Sequence, residues 1–278
     1  MKTKEVTLIT QGLPTSDGAG VKLTRYIGTP QLKALDPFLM LDFFESDNPD
    51  DYIAGFPAHP HRGFETVTYL LNGRMRHQDN QGNEGVVQPG GVQWMTAGKG
   101  VIHSEMPEQE KGLLQGFQLW INLPGHAKMS EPFYQDFLPE SLPVEQQPNG
   151  SKIRVITGTT AQGTEGPVKT PYVNAVYFDV HLAAHSDFNQ PLNDESQGFI
   201  FVIQGSLTIG NQGKIVKERQ LAVLSKGTSL NLHSEENSRF LLIAGNPINE
   251  PIARSGPFVM NTQQQLKEAF DDYRNNRF

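Results

Sequence analysis

Hydrophobic residues come in short bursts separated by turn formers, the signature of strands rather than long helices. Thr66-Val67-Thr68-Tyr69-Leu70-Leu71 is rich in β-branched and aromatic side chains and stops at Asn72-Gly73, which predicts a hairpin turn. Phe199-Ile200-Phe201-Val202-Ile203 is a continuous apolar run bounded by Gly198 and Gly205, short enough to be a buried strand. Val176–Val180, Leu221–Leu224 and Phe240–Ala244 read as further strands. Turn signals recur at Asn80-Gln81-Gly82-Asn83, Pro89-Gly90-Gly91 and Gly210-Asn211-Gln212-Gly213. The pattern predicts an all-β sandwich or barrel. One helix closes the chain. Thr262 and Gln265 form a capping-box pattern, and Leu266, Ala269, Phe270 and Tyr273 lie on one apolar stripe.

The two halves look like diverged copies. Residues 68–75 overlay 200–207 as apolar strand, polar residue, glycine and alternating strand, at an offset of 132. His-Ser-Glu also occurs twice, at 103–105 and 233–235. Between the halves, residues 138–150 hold Pro139, Pro143 and Pro148 and few packable side chains, so they are expected to be a linker. The expected domains are therefore 1–137 and 151–278, the second carrying the helix.

Composition narrows the chemistry. The 278 residues include 23 basic and 30 acidic side chains, a net charge of −7, which argues against bulk nucleic-acid binding. Cysteine is absent, which removes disulfides, thiolate metal sites and a cysteine nucleophile together. Any metal must be held by histidine and carboxylate. No stretch approaches the roughly 18 consecutive apolar residues of a membrane span. The opening MKTKEVTLITQGLP is too polar for a secretory signal. A soluble cytoplasmic protein is expected, and a monomer, since no unusual apolar helix face remains beyond the terminal one.

Two pairs carry the candidate chemistry: His59-Pro60-His61 and His103-Ser104-Glu105. Residues i and i+2 of a strand point to one face, so each pair can aim two donors at one point. Two such strands side by side suit Fe(II), Mn, Ni or Cu(II) with part of the coordination sphere open. Glu65 is four residues beyond His61 and is counted on the same strand face, as a ligand, a partner of a ligand or a general base. His77, His126, His181 and His185 lack such partners and are expected to be structural or exposed.

Gly55-x3-His59-x-His61-x3-Glu65-x7-Gly73, followed by Gly100-x2-His103, resembles the two motifs of cupins. The longer strings Phe56–Leu71 and Gln93–Pro107 are similar to the pirin family, as are Asp36–Asp42, Phe117–Pro124 and Gly256–Thr262. The resemblance spans nearly the whole chain. It implies a bicupin: two stacked antiparallel β-barrels of jelly-roll type with a short C-terminal helix. It implies one metal, usually iron, in the N-terminal barrel, with copper, manganese, nickel or zinc as other occupants. Its ligands would be His59, His61, His103 and Glu105, with Glu65 beside them. The C-terminal barrel would have lost its site, because His59, His61 and Glu65 fall opposite Pro191, Asn193 and Gln197. His233-Ser234-Glu235 is at most half a site.

The resemblance also implies an activity. Bacterial pirins resemble quercetin 2,3-dioxygenases, which open the central ring of a flavonol with O2 and release carbon monoxide. The substrate would be a planar aromatic, with Glu105 as the general base and Glu65 as the alternative. Phe43, Phe44, Phe56 and Phe64 are the candidate pocket aromatics. A second reading comes from animal pirins: a regulatory binding protein whose metal redox state modulates a protein partner.

Overall fold

The computed structural model describes residues 2–278. The chain forms two compact units. One is built from Leu13–Ala34, Phe38–Glu140 and Ile248–Phe278. It pairs a seven-stranded sheet with a four-stranded sheet, every pairing antiparallel. The larger runs Phe133–Phe137, Val92–Thr96, Phe64–Asn72, Leu114–Asn122, Phe38–Ser46, Val21–Ile27, Leu13–Asp17. The smaller runs Phe56–His61, Val101–Pro107, Met75–Asp79, Glu84–Val87.

The other unit is built from the N-terminal segment up to Gly12, Leu35–Pro37 and Ser141–Pro247. Its larger sheet runs Val6–Thr10, Leu221–Leu224, Gln197–Gln204, Ser238–Gly245, Val176–Leu182, Lys152–Thr157, Val144–Gln146. Its smaller sheet runs Ser186–Pro191, Ser229–Ser234, Ser206–Ile209, Lys214–Lys217. Strand for strand, the second unit repeats the order of the first, as two diverged copies should.

Three expectations change. First, the expected linker is partly structured: Pro139–Ser141 is a short helical turn, and Val144–Gln146 pairs with Lys152–Thr157. Second, the main passage between the units falls between Glu140 and Ser141, inside 138–150, but the terminal segments do not stay with their halves. Val6–Thr10 completes the edge of the second unit's sheet against Leu221–Leu224, and the helix belongs to the first unit. A strand goes where unpaired backbone awaits it, not where it lies in sequence. Third, Asn72-Gly73 is a corner rather than a hairpin. Gly73 has φ +84°, and the chain passes there from one sheet to the other. A tight type I′ hairpin would need positive φ at both residues, and Asn72 does not have it.

The helix Gln263–Arg274 forms as the pattern predicts. The Thr262 hydroxyl accepts from the Gln265 N–H, and the Gln265 side chain accepts from the Thr262 N–H. Leu266 and Ala269 are buried against Ala253, Phe258 and Met260. No helix among the described residues is long and apolar enough to cross a membrane.

The interiors of the two units differ. In the second, Phe188, Leu207, Val216, Leu230 and Leu232 of the small sheet meet Phe178, Ile200, Val202 and Leu242 of the large one in one hydrocarbon core. In the first, the corresponding core is smaller and gathers around Leu23, Phe44, Leu70, Met75 and Val87. The remaining space between its sheets is a cavity with polar groups.

Candidate metal centre

The strand Phe56–His61 runs antiparallel to Val101–Pro107 with His59 opposite His103 and His61 opposite Val101. Directly opposed residues share a face, as do residues two apart on one strand. The three imidazoles therefore converge. Their ring centroids lie 4.7 Å (His59–His61), 4.4 Å (His59–His103) and 4.9 Å (His61–His103) apart. One nitrogen from each falls within 4.8 Å of the others, the one such group of three potential donors among the described residues.

The donor chemistry fits a cation. His59 Nδ1 lies 2.8 Å from the Pro57 carbonyl, which can only accept, so Nδ1 carries the proton and Nε2 the lone pair. His59 Nε2 lies 3.0 Å from His61 Nε2. Two neighbouring ligands at bond lengths of about 2.1 Å and a right angle would sit about 3.0 Å apart. His103 Nε2 is buried with no hydrogen-bond partner. Burial holds the His61 and His103 rings well below the ordinary histidine range, helped by the neighbouring imidazoles. Both are therefore neutral near pH 7, the form that binds metal.

Glu105 lines the same cavity but stands off from that cluster. The pairing with Phe56–His61 shifts register between His103 and Glu105, so the spacing does not carry the carboxylate straight along the row of imidazoles. Glu105 is 5% exposed. Its Oε1 lies 2.7 Å from the Thr68 hydroxyl, and its Oε2 accepts from the Gln118 amide at 3.3 Å. A carboxylate offers about four lone-pair positions, so capacity remains for a cation or a proton.

Glu65 is not where the count along the chain puts it. His61 ends a strand of the small sheet, the chain turns at Arg62-Gly63, and Glu65 lies in a strand of the large sheet. Parity is meaningless across that turn. Glu65 stands opposite Thr96, on the face of its strand away from Thr68. Its oxygens accept from Trp94 Nε1 at 3.1 Å and the Thr96 hydroxyl at 2.7 Å. Burial pushes its carboxyl up against the pull of those donors. It is not among the residues that line the cavity.

Sequence reasoning gave His77 no part in the site, and the structure sets it beside His103. It is 2% exposed, and its Nδ1 lies 3.3 Å from His103 Nδ1. The signal that finds it is the register of Met75–Asp79 on Val101–Pro107, which no motif in the sequence states. His126, His181 and His185 are exposed.

The cavity has a volume of about 620 Å³. Its apolar wall includes Leu23, Met40, Phe44, Phe56 and Trp120. Of the four candidate aromatics, Phe44 and Phe56 line it and Phe43 and Phe64 do not; Phe43 packs on Phe117. Trp120 stands edge-on to His61 at 5.2 Å, with the Arg254 guanidinium 4.8 Å above its ring. Arg25 reaches Asp42 with two hydrogen bonds of 2.8 and 2.7 Å.

Among the described residues, the second unit has no such cluster. At the 132-residue offset His59 falls on Pro191, which stands opposite Ser229. His233 sits further along its strand, opposite Asp187, and its Nδ1 lies 2.8 Å from that carboxylate. The repeated His-Ser-Glu is therefore not a repeated site.

Two matching barrels, one with convergent imidazoles and one filled with hydrocarbon, define a two-cupin protein. Comparison with known families agrees: the Pirin model matches residues 20–121, and the Pirin C-terminal cupin domain matches residues 177–278. The chain belongs to the pirin family. It is 50% identical over 278 residues to a pirin-like protein of Caulobacter vibrioides, covering 100% of both. It is 41% identical over 280 residues to human pirin, covering 98% of this chain and 93% of that one. Among solved structures, quercetin 2,3-dioxygenase from Acinetobacter baumannii superposes with a TM-score of 0.90 at 32% identity, over 99% of this chain and 98% of that one.

Proposed function

We propose that the chain is a metal-dependent dioxygenase that opens the central ring of flavonols such as quercetin. The metal is iron, held by His59, His61 and His103 with Glu105 as fourth donor. The observation that carries this reading is the convergence of three imidazoles beside a carboxylate in a largely apolar cavity. The likeness to the Acinetobacter baumannii enzyme supports the choice of substrate.

When bound, the metal supplies Lewis acidity toward the flavonol oxygens and a route for electrons to O2. The chain's own residues do the rest. Glu105 takes the proton of the flavonol 3-hydroxyl, and Thr68 and Gln118 hold its carboxylate in place for that transfer. Phe44, Phe56, Met40 and Trp120 exclude water and hold the planar rings. Overall, one oxygen atom of O2 ends on each of the carbons flanking C3. Both bonds from C3 to those carbons break. C3 leaves as carbon monoxide with its own oxygen, and the proton held on Glu105 returns to the product. O2 is reduced and the ring carbons are oxidised, with no other reductant needed.

The test is turnover under air. Iron-loaded protein should bleach the flavonol band and release carbon monoxide in equal amounts. Glu105→Gln should lower kcat by about 10²-fold or more, the usual contribution of a general base. No turnover by protein loaded with iron, copper, manganese or nickel would remove the flavonol-dioxygenase reading and favour the binding role. The metal site would then be read as a regulatory one that modulates a protein partner.

A further inference from the structure

We propose that His77 is a positioning residue for the metal site: when a cation takes the Nε2 lone pair of His103, His77 accepts the Nδ1 proton of that ring and holds it in place. This rests on reading His59, His61 and His103 as ligands.

The three rings are not held alike. The Nδ1 of His59 meets the Pro57 carbonyl at 2.8 Å. The Pro257 carbonyl faces the His61 ring, short of ideal hydrogen-bond geometry. A carbonyl only accepts, so each of these partners favours a proton on the remote nitrogen and a lone pair on Nε2. His103 differs. Its Nδ1 meets another imidazole nitrogen, His77 Nδ1, at 3.3 Å, and both rings are buried. An imidazole nitrogen can donate or accept, so this pair has two arrangements. In one, His103 Nδ1 donates to His77, whose own proton then sits on Nε2, and His103 Nε2 is free to ligate. In the other, His77 donates, and His103 carries its proton on Nε2, where a ligand atom is needed. Each arrangement leaves one buried N–H without an acceptor, because His77 Nε2 and His103 Nε2 both lack partners. Neither is therefore favoured by its hydrogen bonds alone. A cation at His103 Nε2 excludes the second.

The neighbours of His77 keep its ring in this position. It stands opposite Glu105 on the paired strand, and the Tyr134 ring packs edge-on against it at 5.0 Å. A ring held on both sides can serve as a fixed acceptor without a carboxylate, which would add a second buried charge beside Glu105.

Zinc is the probe, because it is diamagnetic and redox-silent. Affinity is measured by competition with a chelator for wild type, His77→Phe and His77→Gln. Phenylalanine keeps the ring and removes the acceptor, while glutamine keeps an acceptor oxygen. The expected result is a 10- to 100-fold loss of zinc affinity in His77→Phe, with His77→Gln recovering most of it. In zinc-loaded wild type, nitrogen NMR should find His77 protonated on Nε2 and bare on Nδ1, and His103 protonated on Nδ1. Unchanged affinity in a folded His77→Phe, or a proton on His77 Nδ1, overturns the proposal. The NMR arm decides the matter if His77→Phe does not fold. Wild type that takes up no metal would instead bring down the ligand assignment itself, a failure visible before any His77 variant is made.

Discussion

His59, His61 and His103 show what residue spacing can and cannot announce. The i, i+2 pair and the distant His103 are legible because strand period and residue type are both local facts. Glu65 misleads because the count runs through the Arg62-Gly63 turn, where strand parity resets. His77 is invisible because its meaning lies in a cross-strand register. The same burial that readies His61 and His103 for metal has a cost in acid. Both rings have folded pKa values pushed well below the ordinary 6.5. Below that value the unfolded chain takes up protons that the folded chain refuses. Stability is thus complete above about pH 6.5 and falls as pH drops through it. For chelator-stripped protein, stability should therefore fall as the pH drops below about 6.5. Denaturant midpoints at pH 7.5 and 5.5 test this. A midpoint that holds or rises toward acid would speak against neutral buried rings.

At the scale of elements, the turn that hides Glu65 also braces the site. Arg62 is 3% exposed; its guanidinium donates to the Lys99 carbonyl and pairs with Asp272 at 2.8 Å, beneath the Phe278 ring. The next residue, Gly63, has φ +88°, and a Cβ there would overlap the Val259 carbonyl oxygen. That carbonyl also accepts from the buried Lys128 ammonium at 3.0 Å, as does the Gly63 carbonyl at 2.8 Å. Gly63→Ala combines a left-handed backbone with a displaced hydrogen-bond acceptor. It should lose about 2–4 kcal/mol in a denaturant titration. A loss below about 0.5 kcal/mol would mean the turn yields freely. The terminal helix was legible because a capping box and an apolar stripe are both local. The corner at Asn72-Gly73 was not, because a turn signal does not say which sheet receives the next strand.

For the molecule as a whole, the duplication was legible in the overlay of residues 68–75 on 200–207, and the repeated strand order bears it out. The exchange of terminal segments between the units was not, since edge pairing is decided by open backbone rather than by adjacency in sequence. The copies differ in what fills the space between their sheets. Leu207, Leu230 and Leu232 close the second interior, whereas the first keeps His59, His61 and Glu105 at a cavity. One ion per chain follows, not two. Metal content of purified, iron-reconstituted protein tests this most directly, with His61→Ala as the comparison. Wild type should hold about one ion per chain, and the variant should hold at least about tenfold less at the same free metal, with its circular dichroism unchanged. Equal content in the two proteins, or no metal in wild type, would contradict the assignment.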